Sequence, residues 1–145
     1  MSKAPPLRMT LVTLGVEDLP AAAKFYEDMG LPRRMKNAEG VAFFDAGGVI
    51  LSLFGREEFA KDAGVENSKP GFSGVALAYN VPSEAEVDFV LQAAAKAGGK
   101  ILKPAQRAFW GGFYGHFADP EGHIWEVAHN PGFTFDDRGN VVVPD

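Results

Sequence analysis

The stretch Phe117-Ala118-Asp119-Pro120-Glu121-Gly122-His123-Ile124-Trp125-Glu126-Val127 decides how this sequence folds. Its central Asp119-Pro120-Glu121-Gly122 has the residue types of a tight turn, and apolar, aromatic and β-branched residues stand on both sides. We therefore predict a β-hairpin with strands at 112–118 and 123–129. This hairpin ends a larger unit, whose other elements precede it.

The elements before the hairpin complete a βαβββ unit. The pattern predicts a strand at 74–81, a helix at 84–97 and a strand at 101–104. Ser83-Glu84-Ala85-Glu86 has the capping-box form that opens a helix, and Gly98-Gly99 ends it. The second half of the chain is thus strand, helix and three strands.

The first half of the chain repeats this order. Its predicted elements are a strand at 11–16, a helix at 20–29, and strands at 35–38, 41–45 and 49–54. Asp18 is placed to cap the helix, and Gly30 stands where a left-handed C-terminal cap belongs. The chain therefore contains the same succession of elements twice.

The two halves can be aligned residue on residue, 11–16 with 74–79 and 48–53 with 122–127. The alignment gives related places in the two halves to Leu11, Ser52, Gly74 and Glu126. An echo of this kind also arises by chance in α+β chains of this size, and that alternative stays open.

We predict one domain over residues 1–145. Its parts are module one at about 8–55, a connection at 56–72 with a short helix at 57–63, module two at about 73–130, and a tail at 131–145 that forms a small hairpin covering an edge strand. A mass of 15.6 kDa and an apolar content of 46% suit a single hydrophobic core.

Composition narrows the class of function. The net charge of −5, without any run of Lys or Arg, argues against nucleic acid and anionic membranes as partners and favours small molecules or proteins. The absence of cysteine excludes disulfides, thiolate nucleophiles and cysteine-based metal sites. Because no signal-like segment or 18-residue apolar run occurs, we expect a soluble cytoplasmic protein.

Glu126 is the main candidate for chemistry, because it lies within the strongly apolar strand 123–129. If the four-residue turn closes the hairpin in simple register, the residues that share its face are Phe113, Gly115 and Phe117, while Tyr114 and His116 lie behind. In this arrangement we interpret Glu126 as a residue for binding or catalysis. The alternative is an edge-strand glutamate that faces solvent or is held by an arginine.

A histidine metal site is not predicted. His116, His123 and His129 lie close in sequence to Glu126, but in the register above none of them shares its face. A protein metal site needs about three ligands that converge on one point. We therefore interpret the histidines as solvated or core-edge residues.

Other candidate positions combine aromatic and small residues. The segment 109–114, Phe-Trp-Gly-Gly-Phe-Tyr, suits a flat or cationic ligand, although aromatic residues also fill cores. Small residues on one side of the predicted first strands of the two halves leave room either for a ligand or for close packing: Thr13, Gly15, Gly74, Ala76 and Ala78. No phosphate-binding glycine loop or nucleophile elbow occurs, which argues against nucleotide binding and serine catalysis.

Three segments together resemble the vicinal oxygen chelate superfamily of glyoxalase I, bleomycin-resistance proteins and extradiol dioxygenases. They are residues 13–19 (TLGVEDL), 24–31 (KFYEDMGL) and 117–127, and the resemblance extends to about Pro131. It implies an α+β fold in which two βαβββ modules form a curved mixed sheet around a cleft, with helices on the convex side. It also implies a homodimer whose cleft spans the partners.

In metal-dependent members of that superfamily, the first and last strands of each module supply the ligands. Carried onto this sequence, the positions are Leu11, Ser52 (or Leu51 after a one-residue shift), Gly74 and Glu126. Only Glu126 matches, since leucine and glycine side chains have no donor atoms. The resemblance therefore argues against metal-dependent glyoxalase or dioxygenase activity, and we expect neither metal nor cofactor.

The predicted function is metal-free binding of a small aromatic or amphipathic molecule. The expected binding residues are Thr13, Ser52, Phe54, Trp110, Phe113, Phe117 and Glu126. One alternative is a lyase, isomerase or dioxygenase of the same superfamily that uses Glu126 as a base or a non-standard metal site. Another is a protein-binding module whose cleft is filled by Phe54, Phe109 or Trp110.

Overall fold

The computed structural model describes residues 7–68 and 71–144. Residues 69–70 of the predicted connection and the ends of the predicted domain, 1–6 and 145, lie outside this part. The elements are β1 Leu11–Val16, α1 Leu19–Asp28, β2 Arg33–Arg34, β3 Val41–Asp45, β4 Ile50–Gly55, α2 Arg56–Ala63, β5 Ala76–Asn80, α3 Glu84–Lys96, β6 Lys100–Arg107, β7 Phe113–Ala118, β8 Ile124–His129, β9 Thr134–Phe135 and β10 Val141–Val142. No helix of the described ranges is long and apolar enough to cross a membrane.

Two four-stranded mixed sheets form the framework. Their strand orders are β1-β4-β3-β2 in module one and β5-β8-β7-β6 in module two. In each module the first and last strands pair in parallel, and the remaining pairs are antiparallel. The predicted α+β fold of two βαβββ modules is confirmed, and the predicted tail hairpin is present as the pair β9 and β10.

Both module helices begin at the predicted caps. The Asp18 carboxylate accepts a hydrogen bond from the N–H of Ala21 at 3.1 Å at the start of α1. At the start of α3, the Ser83 hydroxyl accepts from the N–H of Glu86 at 3.4 Å and donates to the Glu86 carboxylate at 2.8 Å. These local bonds satisfy amide groups that have no partner inside the helix.

Three strands differ from the prediction by more than one residue at an end. The short strand after α1 is Arg33–Arg34 rather than 35–38, because Met35 has a φ of 49° and ends the extended conformation. Strand β5 begins at Ala76, two residues after Gly74, whose φ of +75° places it outside the strand. Strand β6 is longer than predicted, and its register shifts between Lys103 and Gln106, on either side of Pro104.

Each sheet has a helix face and an open face. In module one, α1 packs on the face that carries Phe44, whose ring centroid lies 6.0 Å from that of Tyr26. In module two, α3 packs on the face that carries Gly115, where an added Cβ would lie 2.6 Å from Cδ1 of Leu91. The open face is the opposite face of each sheet. In module one it is partly covered by α2, since Phe59 lies against Gly15.

A buried hydrogen-bond group joins the two modules. The Tyr26 hydroxyl on α1 donates to the Asp119 carboxylate at 2.6 Å and accepts from the Trp125 indole N–H at 3.1 Å. His123 Nδ1 lies 2.9 Å from the same carboxylate oxygen. We call Tyr26, Asp119, His123 and Trp125 the inter-module latch. Tyr26 and Asp119, which belong to the segments that carry the resemblance, therefore connect the two modules.

The environment of the latch determines its charge state. Burial alone raises the pKa of Asp119, but hydrogen bonds from His123 and Tyr26 outweigh it and leave that pKa below its ordinary value of 3.8. Burial and the adjacent Asp119 carboxylate raise the pKa of Tyr26. The latch therefore contains an ionised Asp119 and a protonated Tyr26 at neutral pH.

Candidate functional site

A polar row crosses the open face of module two. The strand registers pair Lys103 of β6 with His116 of β7, His116 with Glu126 of β8, and Glu126 with Ala78 of β5. Directly paired residues in a sheet project to the same face. Lys103, His116 and Glu126 therefore stand side by side, and we call these three residues the polar row.

The predicted hairpin register was wrong by one residue. The structure pairs Ala118 with Ile124, so five residues rather than four connect β7 and β8. Gly122 has a φ of +93°, and its N–H donates to the carbonyl oxygen of Asp119 at 3.0 Å. A left-handed glycine after a tight turn is the sign of such an extra residue. A shift of one residue in the register moves every side chain of the strand to the opposite face of the sheet.

This correction exchanges the two sets of residues around Glu126. Tyr114 and His116, which we expected behind the sheet, share the face of Glu126. Phe113 and Phe117, which we expected beside Glu126, project to the helix face, and Phe117 is 3% exposed and stacked on Trp125 with centroids 5.9 Å apart. We therefore exclude Phe113 and Phe117 from the open-face site.

Glu126 has a histidine neighbour rather than an arginine. Its Oε2 atom lies 3.6 Å from Nε2 of His116, and the two side chains are 36% and 25% exposed. On the other side of Glu126, β5 presents only the methyl group of Ala78. The carboxylate is therefore accessible to a ligand from the β5 side.

Aromatic side chains extend the row. The Lys103 ammonium group lies 3.4 Å from the Tyr114 hydroxyl and 5.4 Å from the centre of its ring. The Tyr114 ring packs edge-on to His116 with centroids 5.7 Å apart, and the Trp110 ring lies 5.9 Å from Tyr114 on the other side. Flat apolar surface and hydrogen-bonding groups thus stand next to each other.

Two glycines allow Trp110 to take this place. Gly111 has a φ of +93°, which favours glycine, and a Cβ added at Gly112 would overlap the six-membered ring of Trp110. The indole therefore folds back over Gly112 toward Tyr114. Its neighbour Phe109 is fully exposed at the tip of the β6–β7 hairpin and does not fill the face.

A cavity of about 360 Å³ opens on this face. Lys103 and His116 contribute polar groups to it, and apolar walls come from Phe72, Val75, Leu102 and Ile124. Phe72 is 83% exposed, Val75 57% and Leu102 46%. Contiguous exposed apolar groups around a concavity with a few polar groups are typical of a ligand site.

The predicted residues of module one lie elsewhere. Thr13 lines another cavity, of about 640 Å³ between the modules, which shares Phe72, Val75 and Ile124 with the 360 Å³ cavity. Ser52 is 3% exposed, and the ring of Phe54 lies 6.0 Å from that of Phe59 on α2. The structure therefore brings Glu126 and Trp110 onto the face on which the 360 Å³ cavity opens, although neither side chain lines that cavity. Thr13, Ser52 and Phe54 do not line it either.

The structure corrects one of the positions that the resemblance assigned to metal ligands. The parallel ladders begin with Leu11 opposite Ile50 and with Ala76 opposite Ile124. Ala76, not Gly74, therefore corresponds to Leu11, and like glycine it has no donor atom.

The residues present do not fit a divalent metal ion. The four corrected positions are Leu11, Ser52, Ala76 and Glu126, and they supply only the Ser52 hydroxyl and the Glu126 carboxylate. His116 adds one imidazole beside that carboxylate. Within 7–68 and 71–144, no three His, Asp or Glu side chains are grouped closely enough to hold a metal. A catalytic divalent ion needs about three protein ligands.

Comparison with known proteins gives consistent matches. Residues 8–127 match the family model of the Glyoxalase/Bleomycin resistance protein/Dioxygenase superfamily. A glyoxalase-related enzyme from Fulvimarina pelagi is 35% identical, with a TM-score of 0.86 over 95% of this chain and 99% of that chain.

Two further solved structures are similar at lower identity. A lactoylglutathione lyase from Agrobacterium tumefaciens is 26% identical, with a TM-score of 0.66 over 87% of this chain and 96% of that chain. A glyoxalase/bleomycin resistance protein/dioxygenase from Nocardioides is 25% identical, with a TM-score of 0.74 over 88% of this chain and 85% of that chain. No curated protein sequence matches.

Proposed function

This chain belongs to the Glyoxalase/Bleomycin resistance protein/Dioxygenase superfamily, and we propose that it binds a small organic molecule, without a metal, on the open face of module two. The observation that carries the proposal is the 360 Å³ cavity, where exposed apolar walls surround Lys103 and His116 beside Glu126. Sites for small organic molecules combine these two features.

The apolar walls favour binding of an organic body. Phe72 and Val75, from the segment before β5, and Leu102, from β6, expose large apolar side chains to the same cavity. A ligand that covers them removes apolar surface from water, at about 25 cal/mol for each Å². The Trp110 and Tyr114 rings extend this surface with flat faces that suit an aromatic ligand.

Screening with matched variants tests this proposal. A library of small aromatic compounds is screened by ligand-observed NMR against the wild type and Trp110→Ala, with Phe109→Ala as control because Phe109 is adjacent and fully exposed. We expect compounds whose binding is lost in Trp110→Ala and kept in Phe109→Ala. The proposal is wrong if no compound binds or if both variants bind like the wild type.

A second candidate function is catalysis by Glu126, as a lyase or isomerase of this superfamily. The observation in its favour is the 3.6 Å approach of the His116 imidazole to the Glu126 carboxylate, since paired acid and base groups are what proton transfer requires. The test is turnover of a bound compound. Catalysis predicts that Glu126→Gln still binds the compound, although more weakly, and loses turnover. A binding protein shows no turnover in either form.

We also propose that the chain forms a homodimer, as the resemblance implies. Light scattering coupled to size-exclusion chromatography measures the mass directly. A homodimer has twice the 15.6 kDa mass of the chain, and a mass of 15.6 kDa at micromolar concentration contradicts the proposal.

A further inference from the structure

We propose that the ligand of the open-face site is a small organic acid with a planar ring and with a hydrogen-bond donor at the end opposite its carboxylate. This inference rests on the proposed function and names the class of compound that the site takes. It follows from the order of charges in the polar row, from cationic Lys103 through His116 to Glu126.

Lys103 provides the binding group for the ligand's carboxylate. In the part of the chain that the structure describes, its ammonium group has the Tyr114 hydroxyl at 3.4 Å and no carboxylate partner. An ammonium group and a phenol hydroxyl can donate together to one carboxylate. The two donors already stand next to each other at one end of the row, so a ligand carboxylate meets them without rearrangement.

Glu126 provides the acceptor at the other end. His116 approaches one side of its carboxylate, and the β5 side presents only the methyl group of Ala78. An ionised carboxylate only accepts hydrogen bonds, so the ligand must offer it a donor such as a hydroxyl or amine. Lys103 and Glu126 lie two strands apart, which corresponds to about 10 Å between the strand axes.

The aromatic residues select a planar body. The indole of Trp110 is held over Gly112 and stands beside the Tyr114 ring, close to the carboxylate-binding end. Flat rings of this kind favour a flat ligand body that packs against them. A ligand with a cation in place of the carboxylate would meet the ammonium group of Lys103 and be repelled.

The net charge of −5 belongs to the whole chain and does not by itself remove this local preference. Exposed charges that are more than about 8 Å away are largely screened at physiological ionic strength. The nearby Lys103 therefore decides the sign of the ligand group that binds beside it, and Glu126 faces the other end of the ligand.

Three matched compounds test the inference: 4-hydroxyphenylacetate, its neutral amide 4-hydroxyphenylacetamide, and phenylacetate, which lacks the hydroxyl donor. Affinities are measured by calorimetry at pH 7. We expect the hydroxy acid to bind at least about fivefold more tightly than either comparison compound, as a partly exposed ion pair or hydrogen bond provides.

Variants of Lys103 separate charge from packing. Lys103→Met should remove the preference for the acid over the amide, and Lys103→Arg should keep it, because only the arginine retains the positive charge. The control is Lys96→Met, an exposed lysine at the end of α3, which should bind like the wild type. Circular dichroism and thermal unfolding verify that each variant is folded.

The outcomes separate this inference from the proposed function. If the amide binds as tightly as the acid, or if Lys103→Met still prefers the acid over the amide, the ligand is not recognised as an organic acid. The proposal of small-molecule binding is unaffected by that result. If phenylacetate binds as tightly as the hydroxy acid, the inference that the ligand donates a hydrogen bond at the end opposite its carboxylate is wrong. If neither these compounds nor any library compound binds, the proposed function fails and this inference fails with it.

Discussion

Nε2 of His116 lies 3.6 Å from Oε2 of Glu126, on the open face of module two and across from the α3 helix. This pair is the centre of a row that begins with Lys103 on the neighbouring strand. Since both side chains are partly exposed, the pair is placed to meet a ligand. Its contribution to folding is small, because contacts between partly exposed polar side chains stabilise proteins weakly.

The substitution Glu126→Gln separates a role in ligand binding from a role in folding stability. We expect the free energy of unfolding to change by no more than about 1 kcal/mol, because the pair is long and partly exposed. Ligand affinity should fall about three- to tenfold, since the amide is a weaker acceptor than the carboxylate. Urea unfolding and calorimetry measure the two quantities. A loss of more than about 2 kcal/mol of stability would identify Glu126 as a structural residue.

Tyr26→Phe tests the inter-module latch. The substitution removes the hydrogen bond to Asp119 and the acceptor of the Trp125 indole N–H. We expect a loss of about 1–3 kcal/mol in the free energy of unfolding, because buried polar groups lose their partners. Tyr79→Phe is the control, as the Tyr79 side chain is exposed on β5. Equal stabilities of the two variants would show that the latch does not stabilise the fold.

The latch also predicts the acid dependence of stability. The pKa of Asp119 is lower in the folded protein than its ordinary value of 3.8, so the unfolded chain binds this proton first as the pH falls. The contribution of Asp119 is therefore complete well above pH 3.8 and is lost as the pH falls through the folded pKa.

Thermal unfolding between pH 6 and pH 2.5 measures this effect. Asp119→Asn should be less stable than the wild type at pH 6, and the difference should shrink toward the acid end, because the wild-type carboxylate becomes neutral there. A difference that stays constant over the whole range would contradict the lowered pKa.

Gly112→Ala should displace Trp110. The added methyl group overlaps the indole ring, so the ring must leave its place beside Tyr114. We expect reduced affinity for aromatic ligands, comparable to Trp110→Ala, and a changed tryptophan fluorescence. Gly71→Ala is the control, because an added Cβ there meets no atom within 4 Å. Unchanged fluorescence and affinity in Gly112→Ala would contradict the geometry of this hairpin tip.

The order of elements was predictable from the sequence because it depends on local signals. Asp18 and Ser83 opened the two module helices as expected, and the apolar strands and glycine-containing turns marked the βαβββ units. The exact start of β5 was not predictable from hydrophobicity, because Gly74 and Ala76 are both small and only the backbone conformation of Gly74 excludes it from the strand.

The composition of the site was predictable only in part. Glu126 and Trp110 were both predicted as binding residues and lie on one face of the structure, but His116, Tyr114 and Lys103 were missed. All three depend on the register, and one extra residue in the turn reverses the two faces of a strand. The left-handed Gly122 was the signal in the sequence that could have given the correct register.

The central claim is that the open face of module two binds the ligand, and the two tryptophans of the chain allow one direct measurement. A ¹⁵N-labelled protein has one indole N–H resonance from Trp110 on the open face and one from Trp125 in the latch, assigned with Trp110→Phe. Titration with 4-hydroxyphenylacetate should shift the Trp110 resonance in a saturable way and leave that of Trp125 in place. A saturable shift of Trp125 alone, or no shift of either resonance, would contradict the claim.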